Sequence, residues 1–136
     1  MYTQVIVDIA SESVDRVFTY RVPEGMNIVR GMRVSVPFGP RSAEGYVLGL
    51  LDTAQLDESR IKAIRQPLED YPALLPPLID LAQEIARDTH CPLAEALRLM
   101  LPAQMRGGRV KIKTETAARL LIAGDDLQAA LTGCKN

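Results

Sequence analysis

From Thr3 to Ile9 the chain alternates, with Val5, Val7 and Ile9 on one side and Gln4, Ile6 and Asp8 on the other. That period of two is the signature of a half-buried strand. Ser11 to Asp15 then supplies turn chemistry, and alternation resumes from Val17 to Val22, with Phe18, Tyr20 and Val22 opposite Val17, Thr19 and Arg21. Pro23-Glu24-Gly25 ends that run as a tight turn. Met26, Ile28 and Val29 form a short apolar connector to Gly31, after which Met32, Val34, Val36 and Phe38 face one way and Arg33, Ser35 and Pro37 the other. Tyr46 to Leu51 is a nearly continuous apolar run, as in a strand covered on both sides. Ile61-Lys62-Ala63-Ile64 offers a fifth strand that would close the sheet, with Lys62 projecting to solvent or a cleft. Four strands within about fifty residues point to a small β-barrel or sandwich, and the fifth would close the sheet.

Between the third and fourth runs lies Gly39 to Gly45, read as a loop with glycine at both ends, a proline and the cation Arg41. Gly39 lacks a Cβ, so another molecule can approach its backbone, and Pro37 cannot donate to a ladder, which places that strand end at an edge or bulge. An open, cationic corner follows. On pattern alone an ordinary hairpin connection is the stronger reading.

Beyond Arg65 the character changes. Pro67 to Pro77 is acidic and punctuated by proline, marking a second unit. Leu78, Ile79, Ala82, Ile85 and Ala86 recur at helical spacing behind Pro76 and Pro77, where a missing N–H costs little. After Cys91-Pro92, the residues Leu93, Ala94, Leu97, Met100 and Leu101 make another apolar face until Pro102. The resulting expectation is an α+β protein: residues 1–66 a small barrel of about five strands, residues 67–105 a helical hairpin packed on it, and residues 106–136 a linker or the start of another domain.

Composition narrows the class. With 136 residues, 47% hydrophobic and 24% charged, the chain can bury a real core and is not disordered as a whole. No apolar run approaches the ~20 residues of a membrane span, and the N-terminus lacks the order of a signal peptide, so a cytoplasmic protein with no membrane partner is expected. Cys91 and Cys134 lie in different segments, which fits a reducing compartment better than a disulfide framework. The net charge of −1 hides an uneven distribution. Residues 1–66 carry eight Lys+Arg against eight Asp+Glu, residues 67–105 two against six, and residues 106–136 six against three. A broad basic coat for nucleic acid is therefore excluded, and any DNA contact must be a local pocket with a shallow salt dependence.

Enzymatic motifs are absent: no phosphate-binding GxxxxGK[ST], no HExxH, no GxSxG, no GxGxxG and no cysteine cluster. His90 beside Cys91 invites a metal reading, yet neighbouring residues at a helix end diverge and two ligands do not complete a zinc shell. Glu69, Asp70, Asp80, Glu84 and Asp88 read as a solvated acidic face. Phe18-Thr19-Tyr20 sets two aromatics around a small polar residue, a combination that can stack on a base and hydrogen-bond at once, although each ring taken singly is more simply a core residue.

Three segments together are more specific. Asp15-Arg16-Val17-Phe18-Thr19-Tyr20-Arg21-Val22-Pro23, Gly31-Met32-Arg33-Val34-Ser35-Val36-Pro37-Phe38-Gly39-Pro40-Arg41 and Gly45-Tyr46-Val47 resemble the N-terminal region of the primosomal protein N′ family, the PriA replication-restart helicases of bacteria. The likeness runs from Val5 to about Arg106 and includes Leu101-Pro102-Ala103. It implies a domain that recognises the 3′ end of the nascent leading strand at an abandoned fork, with pocket positions on Phe18, Thr19, Gly39 and Lys62, flanked by Tyr20 and Arg41. Lys62 would meet phosphate, Phe18 would form an apolar wall and Gly39 an open backbone. Many family members carry an aspartate where this chain has Thr19, and a hydroxyl accepts a hydrogen bond from the terminal sugar more weakly than a carboxylate does.

The resemblance also implies forked or single-stranded DNA, the single-strand-binding protein and primosome components as partners. It implies no cofactor for this chain, since the family's ATP-driven motor and zinc insertion have no counterpart in the sequence, and hence no enzymatic activity of its own. The competing expectation is a protein-interaction barrel that docks a partner through its acidic helical unit and recognises no DNA end.

Overall fold

In a computed structural model of the protein, residues 1–9, 11–54 and 57–108 are described. Five strands, β1 (Tyr2–Val7), β2 (Val17–Arg21), β3 (Arg33–Phe38), β4 (Arg41–Leu51) and β5 (Gln66–Pro67), form one antiparallel sheet in the order β2-β1-β4-β3-β5. Two helices follow, α1 (Pro76–Thr89) and α2 (Leu93–Leu99). The class is α+β, as the periodicities predict.

Because successive strand residues point to opposite faces, the sheet builds two cores. On one face Val5 and Val7 of β1, Tyr20 of β2, Val34 and Val36 of β3 and Val47 of β4 pack with Val22, Ile28, Met32 and Ile64. On the other, Ile6 and Tyr46 meet Leu74, Ile79, Ala82, Ala94, Ala96, Leu97 and Leu101 from the helical unit. Val5 pairs with Phe18 on one side and Val47 on the other, while a register shift between Gln4 and Val5 leaves Leu48 as the extra residue of a bulge that turns it toward the helices. The fully buried Ala82, Ala94 and Ala96 let α1 and α2 approach closely.

The helical boundaries have local causes. Pro76 and Pro77 occupy the first turn of α1, and His90 ends it in the left-handed conformation at φ 55°. Its ring Nδ1 lies 2.9 Å from the Arg87 carbonyl oxygen. The Leu93 N–H of α2 donates to the Asp15 carboxylate at 2.9 Å, a cap supplied from the loop after β1 rather than by the helix's own sequence. Gly31, at φ 92°, lies directly under the Leu74 carbonyl; a Cβ there would collide with it. Leu74 N–H in turn donates to the Gly31 carbonyl at 3.0 Å, which pins the helical unit to the start of β3.

Four features differ from the sequence-based expectations. The loop after β3 is only Gly39-Pro40, because β4 begins at Arg41 rather than Tyr46; polar Arg41, Ser42 and Glu44 pair with Phe38, Pro37 and Ser35 although their side chains hide the strand pattern. The fifth strand is not Ile61 to Ile64 but the two-residue β5 next to it. Ile61 and Ile64 are buried as the alternation predicts, yet this stretch makes a single parallel bridge, Ala63 to Arg21, through Arg21 N–H to the Lys62 carbonyl (2.9 Å) and Ile64 N–H to the Arg21 carbonyl (3.0 Å). Among the described residues that one bridge is the whole backbone ladder between β2 and the segment leading into β5, so the sheet is not closed into a barrel. Two residues, one of them a proline without a donor, are too little ladder to seal it.

The fourth difference concerns charge. Arg33, expected on the polar face of β3, is 1% exposed and ion-paired with Glu69, whose side chain is 8% exposed, with Glu44 3.6 Å away on β4. Glu69 therefore belongs to a buried clasp and not to a solvated acidic face. Burial disfavours the Arg33 charge, but the Glu69 hydrogen bonds and the charges of Glu69 and Glu44 outweigh that penalty and raise its pKa. Arg98 of α2 donates to Asp8 at 2.6 and 3.1 Å, and Arg30 pairs with Asp80 of α1 at 2.5 Å, so ion pairs tie the helical unit to the sheet at two further points. The expected linker at 106–136 overlaps a 3-10 turn over Ala103–Gly108 and otherwise lies outside the described residues, as does Cys134.

Candidate functional site

β2 is an edge strand, and its ladder fixes which groups face outward. Val22 N–H donates to the Met1 carbonyl across to the β1 side, whereas Arg21 N–H donates to Lys62 on the opposite side. Alternation along the strand then turns the backbone N–H and carbonyl of Thr19 the same way as those of Arg21, away from β1. A few ångströms along that edge the β3–β4 hairpin comes around. Its turn has Gly39 at φ 58° followed by Pro40, the order a type II′ connection needs, since only glycine takes the positive φ of the first position without strain.

Between these two edges opens a cavity of about 230 Å³ lined by Phe18, Thr19, Tyr20, Pro37, Phe38, Gly39, Arg60 and Lys62. Gly39 is exposed, and a Cβ placed on it would meet nothing within 4 Å, so the corner is unobstructed. Phe18 is half-buried; its ring stands edge-on to Phe38, with centroids 5.4 Å apart at 81°, and the Arg16 guanidinium lies 4.9 Å over it. Tyr20 is only 4% exposed, and its hydroxyl donates to the Pro37 carbonyl at 3.3 Å. Burial raises the Tyr20 pKa, so it stays a neutral donor that braces β2 against β3. It is a wall of the cavity and part of the core, as expected for this ring taken alone.

Of the six residues singled out from the sequence, Phe18, Thr19, Tyr20, Gly39 and Lys62 line this one cavity. Arg41 does not: it opens β4 opposite Phe38, exposed beyond the rim. Sequence reasoning missed Arg60, whose position depends on the short 3-10 turn Glu58–Arg60 that Asp57 caps by accepting from Ser59 N–H at 3.1 Å. The polar stretch before Ile61 carried the signal, in the Asp-x-Ser spacing of a local cap. Lys62 and Arg60 have no acidic partner among the described residues.

His90 caps α1, Cys91 packs half-buried against the helical core, and among the described residues no group of three His, Cys, Asp or Glu side chains could hold a metal ion. Nor is any helix among them long and apolar enough to cross a membrane.

A model of the family described as 3′DNA-binding domain (3′BD), from PriA, matches residues 4–102. That span takes in all of the sheet but Tyr2 and Thr3 at the start of β1, both helices and the whole cavity. The chain belongs to the PriA 3′DNA-binding domain family. Among curated proteins it is similar to the replication restart protein PriA of Bacillus subtilis, 34% identical over 107 residues, or 77% of this chain and 13% of that protein. It is similar also to the replication restart protein PriA of Haemophilus influenzae, 33% identical over 110 residues, or 80% of this chain and 15% of the relative. The chain thus spans about one seventh of the length of these PriA relatives.

Proposed function

We propose that this domain captures the 3′ terminus of a DNA strand in the cavity between β2 and the β3–β4 turn. One observation carries the reading: Phe18, Thr19, Tyr20, Gly39 and Lys62, separated by up to 44 positions in the sequence, line a single open pocket of about 230 Å³ together with the cation Arg60. The chemistry is suited to an end. Gly39 has no side chain to block a sugar, Thr19 offers a hydroxyl and an outward-facing peptide group, and Phe18 supplies an apolar wall. None of these groups reads a base edge, so capture is independent of sequence. A strand interior carries a phosphodiester on both sides of each sugar, whereas a terminal sugar carries one and leaves its 3′ oxygen free to enter the corner at Gly39.

Within a full-length PriA protein this capture would position an ATP-driven motor at an abandoned fork, next to the single-strand-binding protein and other primosome components. The chain itself is a non-catalytic binding module in this scheme. The competing reading, a protein-docking module, finds less support, because the acidic groups nearest the sheet, Glu69 and Asp80, are already engaged with Arg33 and Arg30.

The test is fluorescence anisotropy with a short single strand ending in 3′-OH, compared with the same strand blocked by a 3′-phosphate and repeated with Gly39→Trp. Preference for the free end, lost in the variant, is the expected outcome. Equal affinity in all arms would remove the pocket from the function.

A further inference from the structure

The turn that carries Arg60 is held far more firmly than a three-residue surface turn requires. Asp57 accepts from both the backbone N–H and the hydroxyl of Ser59, at 3.1 and 2.9 Å. The Tyr2 hydroxyl, from the first residue of β1, donates to the Glu58 carboxylate at 2.6 Å, and an Arg21 guanidinium N–H of β2 donates to the Glu58 carbonyl at 3.3 Å. The hydrogen bond to Glu58 raises the Tyr2 pKa, so the phenol remains a donor at neutral pH. Glu58, the carboxylate next in sequence to Ser59 and Arg60, is thereby engaged by Tyr2, and Arg60 is left at the cavity wall with no acidic partner among the described residues.

Two strands of the sheet thus anchor a turn whose last residue, Arg60, lines the same cavity as Lys62 and has no acidic partner among the described residues. Lys62 leaves the chain two residues later, at the parallel bridge to β2, so both cations sit on one fixed rim. A guanidinium suits a phosphate that must be met by paired donors, whereas an ammonium meets it as a point charge.

We propose that Arg60 is a phosphate-binding residue, which takes the phosphodiester adjoining the terminal nucleoside while Tyr2 and Glu58 act as positioning residues for it. This rests on the reading that the cavity holds a 3′ terminus. The ligand class is a single DNA strand of at least two nucleotides, since a lone nucleoside has no such phosphate.

The experiment measures binding of a short 3′-OH oligodeoxynucleotide to the whole chain over a series of salt concentrations, for the wild type, Arg60→Gln, Arg60→Lys and Tyr2→Phe. Loss of one phosphate contact on a single strand flattens the slope of log K against log salt by about 0.7. Arg60→Gln is expected to show that flattening with a several-fold weaker affinity at low salt, Arg60→Lys to restore most of the slope, and Tyr2→Phe to weaken binding with an intermediate slope. Arg60 is exposed, so circular dichroism of its variants should be unchanged. A wild-type slope in Arg60→Gln, beside a wild type that prefers the free 3′ end, would overturn the assignment of Arg60 alone. A wild type indifferent to 3′-phosphate blocking, with the Arg60 slope difference intact, would instead overturn the terminus reading and keep Arg60 as a phosphate contact.

Discussion

The two sides of this domain treat charge in opposite ways. Where the helical unit meets the sheet, the cations are matched: Arg33 with Glu69 and Glu44, Arg98 with Asp8, Arg30 with Asp80. At the β2 edge and the β3–β4 turn, Lys62, Arg60 and Arg41 have no acidic partner among the described residues, and the aromatic Phe18 remains half-open beside them. Burying a charge is costly without a partner, so the matched side is what folding demands. Of these, Lys62 and Arg60 line the open cavity, whereas Arg41 lies outside it. In the function proposed above, these two cations meet a negatively charged partner and Phe18 meets its flat or apolar moiety.

The largest effect expected on the matched side follows from the Arg33–Glu69 clasp. Glu69→Ala leaves a guanidinium buried without its main partner, which typically costs about 3–5 kcal/mol. Urea denaturation should show that loss, while the affinity of the folded fraction for 3′-ended DNA stays at its wild-type value. The double variant Arg33→Met with Glu69→Leu should recover much of the stability, because the desolvated charges go together. If Glu69→Ala instead leaves stability intact and abolishes DNA binding, the division between a structural and a binding side is wrong.

Next in size, on the other side, Phe18→Leu keeps an apolar residue of similar bulk but removes the aromatic face. Base stacking is worth about 1–3 kcal/mol, so titration with the oligonucleotide should show a loss of that order with little change in the urea midpoint. Unchanged affinity would reduce Phe18 to the core residue that its edge-on contact with Phe38 also allows.

The smallest effect sharpens the matched side in alkali. Burial first, then the neighbouring Asp8 charge, pushes the Tyr46 pKa well above its ordinary value of 10.0. A group whose folded pKa is raised contributes stability that is fully present below the unfolded value and is lost as pH rises past it. Stability should therefore fall above pH 10, and Tyr46→Phe should flatten that fall while costing about 1 kcal/mol at neutral pH for the bond to Asp8. An equally steep alkaline loss in Tyr46→Phe would assign it to other groups.

Much of this arrangement was legible in the residue pattern. Period-two runs at Val5 and Val7, Phe18 and Tyr20, and Val34 and Val36 marked strand faces that the core confirms, and the spacing of Ile79 and Ala82 placed α1. Family likeness then drew Phe18, Thr19, Gly39 and Lys62 into one set, which lines one cavity. What could not be read was set by partners distant in sequence or by purely local backbone bonds. Arg33 looks like a surface residue until Glu69 is brought beside it by the β3–β5 pairing. Arg41 to Glu44 look like loop because edge-facing polar side chains erase the alternation, although their backbone pairs fully with β3. Arg60 joins the site only because Asp57 caps its turn and Tyr2 and Arg21 hold it, contacts that no periodicity reveals.

In the function proposed above, a strand terminus occupies the corner bounded by Phe18, Gly39 and Lys62. The most direct measurement is a map of backbone amide chemical-shift changes on adding a dinucleotide with a free 3′-OH. Shifts are expected to concentrate at Phe18, Thr19, Gly39, Arg60 and Lys62, with α1 and α2 silent. Shifts confined to the helices, or spread evenly over exposed basic residues such as Arg65 and Arg87, would contradict it.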